Sequence, residues 1–169
     1  MKNVFLSAVI ATATLASCST VSSIMQNTFP YSATIIVTQG SPANTQLSAI
    51  GVGNSINQLF GSSANVRDIR LSSATLSVTS GNQSMGVFKS VKVYLSSGSS
   101  EVLVASRTNI ADNIGSTLSL DLNSSQTLDN IMKSGNTVQQ RIVYELKSSP
   151  TSDMNVKSSM SFSSVPVTN

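Results

Sequence analysis

From Val66 onward, apolar and polar residues alternate with a period of two, and this pattern limits the possible folds more than any other feature of the sequence. Successive side chains of a β-strand point to opposite faces of a sheet, so the alternation predicts strands that each bury one face. The strictest case lies at 118–122, where three leucines are predicted to face a core while Ser119 and Asp121 face solvent. Alternation or a short β-branched run predicts further strands in five segments, 33–38, 66–78, 87–95, 138–147 and 154–162.

The alternation changes parity inside one of these strands. Ile69 and Leu71 share a predicted face with Arg67, whereas the apolar residues after Ser73 have the opposite parity. One extra residue inverts every side chain that follows it, so the change predicts a β-bulge or a strand break at Ser72-Ser73.

Other segments show different patterns. The run at 102–105 is continuously apolar, as expected for a strand covered on both sides. Glycines and prolines interrupt 39–64, within which 55–60 is predicted to form a short helix. In 123–133 the apolar residues follow helical spacing after a serine that can cap, which predicts one or two helical turns crossing between sheets.

Glycine-containing turns separate the strands and complete the fold prediction. A glycine supplies a positive φ angle between apolar runs; such residues are Gly81, Gly98, Gly115 and Gly135. Seven or eight strands with one crossover predict an all-β fold, a two-sheet antiparallel sandwich with an immunoglobulin-like arrangement and one or two short helical turns.

Cys18 is the only cysteine, and it closes the run Leu15-Ala16-Ser17-Cys18 directly after a hydrophobic stretch. A positive start, an apolar stretch of about 7–15 residues and small residues before the cut define a secretory signal peptide. Lys2 and the segment 4–15 supply the first two features. The four-residue box resembles that of bacterial lipoproteins. The resemblance implies cleavage between Ser17 and Cys18, and palmitate-class acyl chains on Cys18 as a diacylglycerol thioether, often with a third chain on its amine.

The apolar segment is too short to cross a bilayer. A helix over 4–15 would reach about 18 Å at 1.5 Å per residue, against a hydrocarbon core of about 30 Å. The prediction is therefore a signal peptide at 1–17, a lipidated flexible tether at 18–32 and a single β-sandwich domain at 33–169. The tract 66–122 is also similar to a group of small uncharacterised lipoproteins with β-sandwich domains, a resemblance that implies no activity and no site residues.

Composition indicates an exported protein with little charge. About one residue in five is serine, and only 10% are charged. Without Lys2, nine basic residues face seven acidic ones, and the basic residues form no run. Nucleic-acid binding requires a basic patch or stripe, so the sequence predicts no nucleic-acid partner.

The residue inventory excludes most catalytic sites. The chain has no histidine, so neither a Ser-His-Asp triad nor a histidine-ligated metal site can form. A Ser-Lys dyad needs a lysine whose pKa is lowered by burial. The two spacings available, Ser90 with Lys92 and Lys157 with Ser159, lie on predicted polar strand faces.

The acids and aromatic residues favour structural roles over catalytic ones. A carboxylate pair for glycoside hydrolysis would come from seven scattered residues, namely Asp68, Glu101, Asp112, Asp121, Asp129, Glu145 and Asp153. Calcium needs six to eight oxygens, and the Asp-Asn pairs beginning at Asp112 and Asp129, with Asp153 and Asn155, are better explained as turn formers. The aromatic residues are predicted to pack in the core rather than stack on sugars; they are Tyr31, Phe60, Phe88, Tyr94, Tyr144 and Phe162. We expect no enzyme, cofactor or metal site.

Three classes of function follow, in order of preference. The first is a non-enzymatic cell-envelope lipoprotein that acts by contact, as a structural, assembly or adhesion module with a protein or glycan partner. The second is a carrier or binding module for an apolar or glycan ligand, and the third is a hydrolase. Ser19 follows the lipidated cysteine, which resembles the outer-membrane sorting class of lipoproteins. The absence of acids in 19–24 favours the periplasmic face over the cell surface.

Overall fold

The structure, a computed structural model, describes residues 29–52, 66–80, 83–134 and 137–167. These residues form nine strands, β1 Phe29–Val37, β2 Gln46–Val52, β3 Val66–Val78, β4 Phe88–Ser97, β5 Ser100–Thr108, β6 Thr117–Ser119, β7 Asp121–Leu122, β8 Gln139–Leu146 and β9 Met154–Pro166. A 3-10 turn, Met85–Val87, precedes β4, and a single α-helical turn, α1 Asp129–Met132, precedes β8.

The strands form the predicted two-sheet antiparallel sandwich. One sheet has four strands in the order β1-β9-β3-β6, and the other has five in the order β2-β8-β4-β5-β7. All seven strand pairs are antiparallel. The strand order differs from the ABED and CFG sheets of a constant-type immunoglobulin domain. Nine strands form instead of seven or eight because 46–52 adds β2 and because 117–122 contributes two short strands.

Both lateral edges of the sandwich are closed. On one side the chain passes from β6 in the first sheet directly into β7 in the second, with Leu120 N–H donating to the carbonyl of Ala74 at 3.0 Å. On the other side β1 approaches β2, where a Cβ on Gly51 would lie 2.8 Å from the Cβ of Ala33. Glycine is therefore required at position 51 for the two edge strands to pack.

The inward faces of both sheets fill the core. Aromatic pairs lie within it, Tyr31 against Phe162 with ring centroids 6.3 Å apart and Phe88 against Tyr144 at 5.7 Å, both edge to face. The other large side chains that are fully buried are aliphatic, namely Ile69, Leu76, Met85, Leu95, Leu118, Met132, Ile142, Leu146 and Met154. Burying each such side chain contributes roughly 1.5–3 kcal/mol.

The strict alternation at 118–122 is confirmed. Leu118 and Leu120 are buried and Leu122 is half-buried, whereas Ser119 and Asp121 are exposed. The predicted bulge in β3 is also confirmed, because the register with β9 shifts between Leu71 and Ser73.

The prediction for Arg67 is wrong. A second irregularity, between Arg67 and Arg70, includes Asp68 in the left-handed region at φ 54°. This bulge turns Arg67 outward while Val66 and Ile69 face the core. The change of parity between Val66 and Ile69 was the available sign of this bulge.

Bulges also correct two other face assignments. In β4 a register shift between Phe88 and Ser90 buries Phe88 and leaves Val87 half-buried, whereas uninterrupted alternation from Val91 would bury Val87 and expose Phe88. In β5 the shift opposite Val93 places the consecutive residues Val104 and Ala105 in the core. The apolar run at 102–105 therefore reflects a bulge and not coverage on both faces.

The first strand and the helical turn differ in detail from their predictions. β1 begins at Phe29 and not at residue 33, so the last residues of the predicted 18–32 tether belong to the sheet, where Tyr31 is buried. The helical segment in 123–133 is confirmed as one turn, but it connects β7 and β8 of the same sheet, so the predicted crossing between sheets is wrong. Its N-cap is Leu128, and no side chain caps it. The predicted helix at 55–60 lies outside the described residues.

A buried polar pair joins the two sheets. Gln140 of β8 and Ser158 of β9 are both fully buried, and the Gln140 Nε2 amide donates to Ser158 Oγ at 2.6 Å. Gln140 Oε1 has no hydrogen-bond partner among the described residues. Since buried polar groups normally have partners, this pair is a sensitive point of the core.

Candidate functional site

The residues predicted for processing, Ser17 and Cys18, lie outside the described residues. Over the ranges that the structure describes, no helix is long and apolar enough to cross a membrane. Lipidation therefore remains a prediction from the sequence.

The two candidate Ser-Lys spacings lie on the outer faces of different sheets. Ser90 and Lys92 share the outer face of β4, and Lys157 and Ser159 share that of β9. Both lysines are exposed. A Ser-Lys nucleophile requires a lysine buried in an apolar setting, and neither pair provides one.

The acidic residues are dispersed and paired with separate cations. Six form ion pairs, Asp68 with Arg67, Glu101 with Arg141, Asp112 with Lys147, Asp121 with Arg107, Asp129 with Lys133 and Glu145 with Lys89. The seventh, Asp153, accepts a hydrogen bond from the Gln39 backbone N–H at 2.7 Å. Within the described ranges, no three Asp, Glu, His or Cys side chains come together in a group that could hold a metal ion.

Tyr94 differs from the other described aromatic residues of the predicted set because it is not buried. Tyr31, Phe88, Tyr144 and Phe162 are buried, as predicted for core packing, and Phe60 lies outside the described residues. Tyr94 instead faces outward from β4, so the core prediction is wrong for this residue. It lies at the centre of the outer face of the five-stranded sheet.

One row of side chains crosses that face. The strand registers align Ile50 of β2, Arg141 of β8, Tyr94 of β4 and Leu103 of β5. Neighbouring strands are about 4.8 Å apart, so the row spans roughly 14 Å. We call this surface the Tyr94 face, defined by Ile50, Lys92, Tyr94, Glu101, Leu103, Arg141 and Val143.

Arg141 is fixed at the centre of the Tyr94 face. Its guanidinium lies 4.6 Å from the centroid of the Tyr94 ring and donates through Nε to Glu101 Oε1 at 2.8 Å and through Nη2 to Glu101 Oε2 at 2.5 Å. This bidentate pairing lowers the pKa of Glu101 and raises that of Arg141. The ion pair and the ring contact together hold a flat, amphipathic platform in one geometry.

An exposed isoleucine, which we call the apolar shoulder, and a shallow depression lie beside the cluster of Tyr94, Arg141 and Glu101. Ile50 is 59% exposed although it is a large aliphatic residue. Val143, in the next row, is only 6% exposed although it points away from the core. It lies at a cavity of about 240 Å³ that Lys92 and Glu145 also line. Lys92 has no ion-pair partner among the described residues, which leaves one positive charge beside the depression.

The outer face of the four-stranded sheet is chemically different. Its rows contain mainly hydroxyl side chains, for example Ser32, Ser159, Thr75 and Ser119 aligned across four strands. Its one exposed large aliphatic residue among the described positions is Ile36, at 57% exposure. Ile36 and Ile50 therefore have similar exposure on opposite faces of the molecule.

Comparison with known proteins identifies no family for the chain. No family model matches it, and no curated protein matches it closely enough to indicate a relative. A crystal structure of FlhE aligns with 84% of this chain and 98% of its own, at 10% identity and a TM-score of 0.32. A structure of Desmodium yellow mottle tymovirus aligns with 99% of this chain and 98% of its own, at 12% identity and a TM-score of 0.25. These TM-scores support no inference, so the sandwich is assigned from the strand pairing of this chain alone.

Proposed function

We propose that this protein is a lipid-anchored module of the bacterial cell envelope that acts by contact, and that the Tyr94 face is the surface that binds a protein partner. The observation that carries the proposal is the row Ile50, Arg141, Tyr94 and Leu103. No chemistry is assigned to it, and no cofactor takes part.

The composition of the Tyr94 face supports a protein partner. Protein interfaces are enriched in Tyr and Arg and depleted in Ser relative to other surfaces. The residues that contribute most to the binding free energy are often Tyr and Arg held in fixed positions. The row Ile50, Arg141, Tyr94 and Leu103 has this composition, and Ser48, Ser96 and Ser106 lie in the rows beside it. The opposite face contains mainly serine and threonine. The unpaired charge of Lys92 favours a partner with a carboxylate beside its apolar contact.

Variants at the two exposed isoleucines test the contact. We expect Ile50→Asp to release the protein from complexes extracted from membranes in mild detergent, because it places a charge in the apolar shoulder. Ile36→Asp, at equal exposure on the other sheet, should leave those complexes intact. If both variants are released from the complexes, or if both are retained, the Tyr94 face is excluded as the binding surface.

The membrane anchor is a separate part of the proposal. The box ending at Cys18 supports cleavage after Ser17 and acylation of Cys18, and two or more acyl chains are needed for stable anchoring. Ser19 supports outer-membrane attachment, and the absence of acids in 19–24 supports the periplasmic side. Intact mass of the membrane-extracted protein should show loss of 1–17 and added acyl mass. A free Cys18 thiol in the native protein would exclude the anchor.

A carrier function remains the second candidate. An apolar carrier needs a pocket of about 300 Å³ or more between apolar walls. The cavities of about 500 and 690 Å³ in the structure are instead lined largely by polar residues. They favour a small polar ligand over an apolar one.

The hydrolase alternative is tested directly. Purified full-length protein should show no turnover on ester, peptide and glycoside panels, since the lysine of each candidate Ser-Lys pair is exposed on an outer sheet face. A turnover that one Ser, Lys or Asp substitution abolishes without loss of stability would establish an enzyme instead.

A further inference from the structure

A cleft lies at the end of the sandwich opposite to the first residues of β1. It is bounded by the 3-10 turn with the two residues before it, by the β5–β6 loop and by the β8–β9 loop, and its volume is about 500 Å³. β1 begins at Phe29 at the other end and runs toward the cleft, where Val37 pairs with Met154. Eight steps of about 3.3 Å separate the ends of β1 by roughly 26 Å, so a chain anchored through its N-terminal side holds the cleft away from the membrane.

The walls of the cleft are held by the backbone. Met85 N–H donates to the carbonyl of Gly115 at 2.7 Å, and Lys147 N–H donates to that of Val87 at 2.8 Å. Gly86 packs directly on the β5–β6 loop, since a Cβ there would lie 2.2 Å from the carbonyl oxygen of Asp112. Such walls need little ordering when a ligand binds, which favours affinity.

Lys147 and Asp112 form an ion pair at one wall of the cleft, and both can make further hydrogen bonds. Lys147 Nζ donates to the carbonyl of Ile110 and to Asp112 Oδ1. An ammonium has three donors, so one N–H remains for a ligand. The Asp112 side chain is 89% exposed, so its carboxylate can accept further hydrogen bonds from a ligand.

The rest of the lining combines hydroxyl groups with apolar surface. Ser148, Ser149 and Thr151 are exposed hydroxyl residues at the rim. Val87 and Pro150 provide the apolar contact, and Pro150 is held by a hydrogen bond from Gly40 N–H to its carbonyl at 3.0 Å. Neighbouring hydroxyls, donors, acceptors and an apolar patch are the groups that a sugar ring can satisfy together.

The charge balance selects among ligand classes. An anion such as phosphate would meet the Asp112 carboxylate, and a bare cation would meet the Lys147 ammonium. An apolar ligand would leave both charges desolvated. A neutral molecule with several hydroxyls avoids all three costs, and the volume lies within the range of about 300–1,000 Å³ typical of ligand sites.

We propose that this cleft binds a neutral saccharide through Asp112 and Lys147. The site is independent of the Tyr94 face, which lies on the outer surface of one sheet and shares none of its defining residues with the cleft. Failure of either proposal therefore leaves the other standing.

Saturation-transfer NMR on the full chain, in a detergent without a sugar headgroup, tests the site. The probes are glucose, galactose, N-acetylglucosamine and their disaccharides at tens of millimolar, with inorganic phosphate as a competing probe. At least one saccharide should receive saturation and give a dissociation constant that Asp112→Asn raises about tenfold, the loss expected for one hydrogen bond to a charged group. Asp121→Asn, at another exposed ion pair, should change it by less than about twofold.

Three results would overturn the proposal. They are no transfer to any saccharide of the panel, binding that Asp112→Asn and Asp121→Asn affect equally, and displacement of the saccharide by phosphate at equal concentration. Lys147→Met provides a second variant, and it should weaken binding in the same direction as Asp112→Asn.

Discussion

Replacing Ser158 by alanine is expected to destabilise the protein far more than the loss of one small hydroxyl suggests. Ser158 Oγ is the hydrogen-bond partner of the Gln140 amide, and both side chains are fully buried. Because Gln140 Oε1 already has no partner among the described residues, Ser158→Ala leaves the whole amide unsatisfied. An orphaned buried polar group costs about 1–3 kcal/mol, which corresponds to a fall in Tm of roughly 4–12 °C for a domain of this size.

The double variant distinguishes this explanation from a simple packing defect. Gln140→Leu with Ser158→Ala removes every polar atom of the pair, so its free energy of unfolding should return to the wild-type value or exceed it. The coupling between the two sites should therefore be at least about 1 kcal/mol. Ser159→Ala, at the neighbouring outward-facing residue, should stay within about 0.5 kcal/mol.

Thermal and urea unfolding followed by circular dichroism is measured for five proteins, namely the wild type, Ser158→Ala, Gln140→Leu, the double variant and Ser159→Ala. The reasoning would be refuted by a Ser158→Ala variant with the wild-type free energy of unfolding. It would also be refuted by a double variant whose loss of stability equals the sum of the losses in the two single variants. Either result would mean that Gln140 has another partner.

Three further predictions follow from the core and its edges. Leu120→Ala should cost about 2–5 kcal/mol in urea unfolding, whereas Ser119→Ala should stay within about 0.5 kcal/mol; equal costs would contradict the strand register. Burial raises the pKa of Tyr31 to about 12, so its neutral phenol stabilises the fold fully below pH 10 and progressively less between pH 10 and 12. Tyr31→Phe should reduce this alkaline loss of Tm, and an unchanged pH profile would contradict it. Gly86→Ala should lower stability by about 1–3 kcal/mol, because its Cβ would meet a backbone carbonyl; a neutral result in the same unfolding assay would show that the loop can shift.

The period-two pattern was sufficient to predict the sandwich and several buried faces. Leu118 and Leu120 are buried as predicted because no extra residue interrupts the alternation between them, so parity alone sets the face. The bulge after Leu71 was predictable because the apolar residues on its two sides differ in parity. The same change of parity between Val66 and Ile69 was the available sign of the bulge at Arg67, whereas the bulge in β5 left no such sign because its neighbours are continuously apolar.

The division of 117–122 between two sheets could not be predicted from parity. Each leucine faces the core in either sheet, so the pattern is the same whether or not the strand crosses at Leu120. The strand at 46–52 was missed for a different reason. Gly51 breaks its apolar face, and the glycine is explained only by the approach of Ala33.

The candidate surfaces could not be predicted because they depend on which strands and loops lie together in the folded chain. Ile50, Arg141 and Tyr94 are separated by dozens of residues, and only the registers of β2, β8 and β4 align them. With no tryptophan and few aromatic residues, the sequence favours a core position for Tyr94. Tyr94 has the same parity as Ser90 and Lys92 in the alternation, and this was the available sign that it faces outward. The cleft at Asp112 and Lys147 joins loops that no sequence pattern relates.

Photo-crosslinking in intact cells tests the central claim most directly. A photoreactive amino acid replaces Ile50 in one full-length variant and Ile36 in another, so that the two probes have similar exposure on opposite faces. After irradiation, we predict one discrete adduct with another envelope protein from position 50 and none from position 36. A discrete adduct from position 36 alone, or identical patterns from both positions, would contradict the assignment of the Tyr94 face as the binding surface.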